Sequence, residues 1–134
     1  MKLVINTDGG ARGNPGPAGI GVVIQNISGK VLEKFGRYIG DNKTNNEAEY
    51  EAVIAAMESA KALGGTHLEF KLDSELIERQ LNHIYKVKEP RLQQLFLKAK
   101  NLQTQFSHVT FSHIPREKNT RADALVGEAI DNAT

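Results

Sequence analysis

Lys2-Leu3-Val4-Ile5-Asn6-Thr7-Asp8-Gly9-Gly10 opens the chain. Apolar, β-prone residues run into an aspartate, and two glycines follow. A short run of this kind closed by glycine predicts a buried strand ending in a turn. Asp8 then stands where a central strand leaves the core, a place where a carboxylate is costly unless a cation meets it. Read alone, Asp8 is a turn aspartate that caps the backbone. What changes that reading is whether other carboxylates reach the same place.

Beyond it, Ala11 to Gly19 is a Gly/Pro loop carrying neither G-x-G-x-x-G nor G-x-x-x-x-G-K, and Ile20 to Ile24 reads as a strand, so a nucleotide-binding βα turn is excluded. Ser28-Gly29 signals a hairpin and Val31 to Ile39 a return strand, which predicts an antiparallel meander of three strands. Thr44 and Glu47 have the spacing of a capping box, at the start of a helix with the stripe Tyr50, Val53, Ile54, Met57 and Ala60. A helical wheel does not choose between Glu47 and Glu49. The capping role of Glu47 leaves Glu49 as the free acid of the first turn, and Gly64-Gly65 ends the helix.

His67 to Leu72 alternates as a strand with Leu68, Phe70 and Leu72 inward, and Asp73-Ser74 follows it. Asp73 repeats the arrangement of Asp8, although Asp or Ser before an apolar-periodic run is also an ordinary N-cap. The next helix carries Leu76, Ile77, Leu81 and Ile84; Pro90 starts another with Leu92, Leu95, Phe96, Ala99 and Leu102. Val109 to Ile114 is the last strand, on which His113 reads as a packed residue in phase with Val109 and Phe111. Asp123 lies in the first turn of the closing helix, where a carboxylate suits the helix dipole.

A length of 134 residues suits one domain, and the absence of cysteine removes disulfides, thiolate metal sites and a cysteine nucleophile. With no long apolar run and no signal-like amino terminus, a soluble cytoplasmic protein without membrane contact is expected. The net charge of +1 is unevenly spread: Asp41–Glu78 holds nine acidic and three basic residues, Lys86–Arg121 eight basic and two acidic. Such segments hold cations and phosphates respectively, or are simply solvated faces. The histidines carry no paired motif for metal-free ribonuclease chemistry. A calcium loop at Asp41 fails because its sixth position is Asn46 and not glycine.

Asp8 and Asp73 end strands, while Glu49 and Asp123 begin helices. In an open α/β sheet such positions converge, and oxygen-rich sets of this kind hold hard cations such as Mg²⁺.

These residues, with Thr7-Asp8-Gly9-Gly10, Gly13-Asn14-Pro15-Gly16-Pro17, Thr44-Asn45-Asn46, Asp73-Ser74 and Pro115-Arg116-Glu117-Lys118-Asn119 in this order, resemble type 1 ribonuclease H in its compact archaeal form. The resemblance spans nearly the whole chain. It implies an α/β ribonuclease H-like fold over residues 1–134: a five-stranded mixed sheet, antiparallel in its first three strands and then parallel, flanked by helices. It also implies an endoribonuclease that hydrolyses the RNA strand of RNA/DNA hybrids with two Mg²⁺ ions (Mn²⁺ as a substitute), leaving 5′-phosphate and 3′-hydroxyl ends.

By position, Asp8 would bridge both ions, Asp123 would complete the one that activates water, and Glu49 and Asp73 would serve the leaving-group side. Gly9, Gly10, Asn14, Asn45 and Asn46 would contact the RNA, Thr44 and Asn14 a DNA phosphate, and Ser74 and Asn119 join the substrate set. Arg116 takes the place of a mobile histidine of bacterial relatives. A permanently charged arginine suits phosphate holding or product release better than proton transfer. Glu75 stands where many relatives carry glutamine. The larger relatives' basic protrusion is reduced to Lys86, Lys88 and Arg91, a substitute for it or a solvated surface. A monomer without an obligate protein partner is expected. The alternatives are a binding module without turnover and a related nuclease that cuts another duplex.

Overall fold

The computed structural model describes residues 1–134. In chain order it has β1 (Lys2–Ala11), β2 (Gly16–Asn26), β3 (Val31–Lys43), α1 (Asn45–Ala62), β4 (His67–Leu72), α2 (Glu75–Leu81), α3 (Pro90–Gln103), β5 (His108–His113) and α4 (Thr120–Ala133), with a short 3₁₀ turn at Arg116–Lys118. The sheet order is β3-β2-β1-β4-β5; β1, β2 and β3 pair antiparallel, while β4 and β5 run parallel to β1. This is the mixed sheet expected from the sequence. No helix is long and apolar enough to cross a membrane.

β1 is central because both of its edges are paired. Leu3 and Ile5 are fully buried and join Phe70, Leu72, Tyr50, Met57 and Ile77 in the main core under α1, α2 and α3. Burying each large apolar side chain contributes about 1.5–3 kcal/mol, so this face holds the layers together. α1 is buried well beyond one stripe, since Ala52, Ala55 and Ala56 are enclosed as well. Small alanines on several faces let the sheet and α3 both approach it. α4 packs on the opposite face of the sheet, so closely that a Cβ on Gly21 would run into the Ala122 carbonyl.

Several expectations are corrected. β1 does not turn after Asp8: it continues through Gly9 and Gly10 to Ala11, because β2 still pairs with it there (Gly9 with Ile20, Gly10 with Gly19) after the β4 pairing has ended at Thr7–Leu72. β3 likewise extends past Ile39 to Lys43. Ile77 and Leu81 are buried, but Leu76 points outward and Ile84 lies beyond the end of the short α2. His113 is exposed, not packed. β5 is an edge strand, and nothing lies beyond it to cover a side chain at its end.

Candidate active site

The parallel register sets the site. Thr7 is opposite Leu72, so Asp8 and Asp73 are the next residues on two adjacent strands. Glu49 arrives from the first turns of α1, whose start is held by the full capping box: Glu47 N–H donates to Thr44 Oγ1 at 3.1 Å, and Thr44 N–H to Glu47 Oε1 at 2.9 Å. Arg91 on α3 also pairs with Glu47, at 3.4 Å. Glu47 is thus occupied and Glu49 is the acid of the site, as the capping argument required. Gly9 brings the two elements together, since a Cβ there would overlap the Ala48 carbonyl and come within 2.5 Å of Glu49 N.

Asp8, Glu49 and Asp73 each offer an oxygen, and these lie within 4.8 Å of one another. Asp8 and Glu49 are only 6% and 7% exposed. Burial, followed by the nearby Asp73 and Asp123, pushes the Asp8 carboxyl up to about 7, against a lowering hydrogen bond with Glu49. Glu49 is raised as well, by burial first and then by Asp8. No lysine or arginine forms an ion pair with any of the three. Asp123 stands outside the tight group, half-exposed at the start of α4, and its Oδ1 lies 3.8 Å from Arg116 Nη2. It still lines the same cleft, of about 460 Å³, with the other three, Gly9, Gly10, Asn45 and Arg116.

The other expected residues divide. Asn14 Oδ1 accepts from Asn45 N–H at 3.0 Å, and Asn45 Oδ1 from Ala11 N–H at 2.7 Å, so these exposed asparagines tie the β1–β2 loop to the start of α1. Their amide nitrogens carry no protein hydrogen bond. Asn46 is half-buried beside them. Ser74 caps α2 by accepting from Ile77 N–H at 3.3 Å.

Asn119 differs from its expected place at the substrate. It is 1% exposed, its amide donates to Thr7 O at 2.8 Å and to Asp73 Oδ2 at 3.1 Å, and its oxygen accepts from Asn6 Nδ2 at 3.0 Å. It therefore positions Asp73 against β1, its side-chain hydrogen bonds all going to Thr7, Asp73 and Asn6. Asn6 was missed, although a lone amide in an apolar strand was a signal that it needed a buried partner. Arg12, Gly127, Val126 and Ile130 also line the cleft and had no motif to mark them.

An acidic cluster of hard oxygen donors, seated where a central strand and its parallel neighbour end, on a five-stranded sheet ordered β3-β2-β1-β4-β5, defines a ribonuclease H-like domain. Residues 6–129 match the family described as Reverse transcriptase-like. Ribonuclease HI of Halobacterium salinarum is 43% identical over 126 residues, 94% of this chain and 63% of that protein. Among solved structures, the N-terminal RNase H domain of a Mycobacterium tuberculosis protein superposes with TM-score 0.95 at 42% identity, covering 99% of this chain and 96% of that one. The compost-derived LC11-RNase H1, solved in complex with RNA/DNA hybrid, superposes with TM-score 0.93 at 51% identity and 98% coverage of both chains. This chain belongs to the type 1 ribonuclease H family. It spans 36% of the length of the curated mycobacterial relatives it matches.

Proposed function

We propose that this chain is an endoribonuclease that hydrolyses the RNA strand of RNA/DNA hybrids. The observation that carries the reading is the convergence of Asp8, Glu49 and Asp73 to within 4.8 Å in an open cleft. The donor set fits a divalent cation. It consists of hard carboxylate oxygens, two of them buried, raised in pKa and unpaired with any basic side chain, an arrangement that external positive charge would relieve. Asp8, Glu49, Asp73 and Asp123 are the residues that would hold it, as two Mg²⁺ ions with Mn²⁺ as a substitute. The chemistry supplied by such ions is charge neutralisation and Lewis acidity for in-line displacement at phosphorus.

The chain's own groups supply the rest. Asp8 is fixed by Gly9 N–H, which donates to its Oδ1 at 2.9 Å, and Asp73 by Asn119, so both acids meet substrate already oriented. Water attacks phosphorus opposite the 3′-oxygen, the P–O3′ bond breaks, and the products carry 5′-phosphate and 3′-hydroxyl ends. The strand is told from DNA by its 2′-hydroxyls; backbone at Gly9 and Gly10 and the free amides of Asn14, Asn45 and Asn46 are the groups available for that. Thr44 and Asn14 suit a phosphate of the DNA strand, and Ser74 a further substrate contact. Arg116 is largely exposed at the rim, and its guanidinium suits holding phosphate or easing product release. A monomer working in the cytoplasm completes the proposal.

The test is cleavage of a labelled hybrid with a defined RNA segment, in Mg²⁺, Mn²⁺ or EDTA, beside double-stranded RNA and DNA, with the product ends identified. Metal-dependent cutting of the hybrid's RNA strand to 3′-hydroxyl ends is expected. Binding without turnover would make the chain a recognition module, and equal cutting of another duplex would reassign its substrate.

A further inference from the structure

The cleft continues past the carboxylates. Beyond Gly10 and Ala11 it runs between the β1–β2 loop and α4, walled by Val126, Gly127 and Ile130 and covered by Arg12. Arg12 forms an ion pair with Asp131 and reaches toward Gly127 O at 3.5 Å. Arg116 and Arg12 are the only cations that line the cleft, and each is held by a carboxylate of α4, Asp123 or Asp131. Asp131 follows Asp123 by eight positions on α4, a rise of about 12 Å along the helix axis at 1.5 Å per residue. That is on the order of a few nucleotides along one strand of a duplex.

Gly127 is an independent observation. A glycine inside a helix is unfavourable relative to alanine, so packing usually explains one. Here it does not, because a Cβ on Gly127 would meet nothing within 4 Å. Gly127 lines the cleft with open space over its Cα, and its carbonyl lies 3.5 Å from Arg12 Nη2.

We infer that the arm of the cleft between Gly10 and α4 is a further subsite for the cleaved strand, in which Arg12 holds a phosphodiester a few nucleotides from the scissile one. Asp131 occupies Arg12 when the strand is absent and competes with the phosphate for it. The open space over Gly127 leaves room for the sugar beside that phosphate. This rests on the hybrid-cleaving reading above.

The test measures KM for the hybrid at several KCl concentrations, with a thermal melt of each variant. Arg12→Ala is expected to raise KM about fivefold near 0.1 M salt. It should also flatten the dependence of log KM on log salt by roughly 0.7–0.9, the share of one phosphate contact. Asp131→Asn is expected to lower KM about threefold, because it frees Arg12. Gly127→Ala should melt higher than wild type and yet show a raised KM. If Arg12→Ala and Asp131→Asn move KM in the same direction, or neither moves it, the pair is a surface staple and the subsite is refuted. A Gly127→Ala protein with higher melting temperature and unaltered KM would likewise refute it. Failure of the wild type to cut hybrid at all would sink the functional reading, an outcome distinct from these.

Discussion

Asn119 Nδ2 donates to Asp73 Oδ2 at 3.1 Å, joining the end of β4 to the start of α4. The same amide donates to Thr7 O, so one buried side chain ties Asp73 to the strand that carries Asp8. Asn119→Ala leaves Thr7 O without its donor and Asp73 without its anchor. Removing such a partner costs about 1–3 kcal/mol, which a urea midpoint will read. A folded Asn119→Ala protein is further expected to need several-fold more Mg²⁺ for half-maximal cleavage. Asn6→Ala removes a partner of Asn119 but leaves its grip on Asp73. That variant should lose stability without the added metal requirement, which separates positioning from plain stabilisation.

Asp8→Asn is expected to abolish cleavage while leaving metal-free stability unchanged or improved. The Asp8 carboxyl lies at about 7 in the folded chain, against an ordinary 3.8. Between those values the folded state binds the proton and the unfolded state has lost it, so the contribution of Asp8 to stability falls as pH rises from about 4 to 7. The variant's melting temperature relative to wild type should therefore climb over that window in EDTA and level off above it. A loss of several degrees at pH 8 would make Asp8 a structural aspartate.

Divalent cation should act in the opposite sense on the wild type. A ligand that binds only the folded state stabilises by RT ln(1 + [L]/Kd), about 2.7 kcal/mol at a hundredfold excess over Kd. Mg²⁺ or Mn²⁺ is expected to raise the wild-type melting temperature measurably at pH 8 and to raise that of Asp8→Asn much less. Equal shifts in both proteins would place the cation elsewhere.

Gly9→Ala tests how close the strand and helix must come. Its Cβ would overlap the Ala48 carbonyl and press on Glu49 N, and overpacking of this kind costs about 1–3 kcal/mol. Because the strain falls on the turn that carries Glu49, activity should drop further than stability. Denaturant unfolding and hybrid cleavage measured on the same preparation will show whether it does.

Thr44→Ala should behave differently, with stability reduced by about 0.5–2 kcal/mol through loss of the cap. Thr44→Ser keeps the hydroxyl and should restore most of it. Comparing their unfolding midpoints isolates the cap from any contact of Thr44 with substrate.

Much of this could be read before folding because the relevant signals are local. Alternation over His67–Leu72 and the Ser28-Gly29 hairpin depend on a few neighbours each. The Thr44/Glu47 spacing alone separated Glu47 from Glu49, since a capping box is closed within one turn of helix. What could not be read involves partners far along the chain. Gly9-Gly10 looked like a turn because glycine often marks one; here they continue β1, and Gly9 is small because the Ala48 backbone lies against it. His113 has the phase of a core residue but stands on an edge strand, and strand order is not written in periodicity. Asn119 looked like a loop amide facing substrate until its hydrogen bonds to Thr7, Asp73 and Asn6 placed it inside.

The amino-acid sequence by itself determined the succession of strands and helices and the Thr44/Glu47 cap, because hydrophobic period and turn chemistry act over a few residues; four candidate acids and the family resemblance came from motifs matched in order along the chain. Only the tertiary structure decided that three of those acids close to within 4.8 Å while Asp123 stays at the rim beside Arg116. It also decided that Arg12 and Gly127 share their cleft. Distances between side chains a hundred residues apart are set by strand register and by how closely helices pack on the sheet.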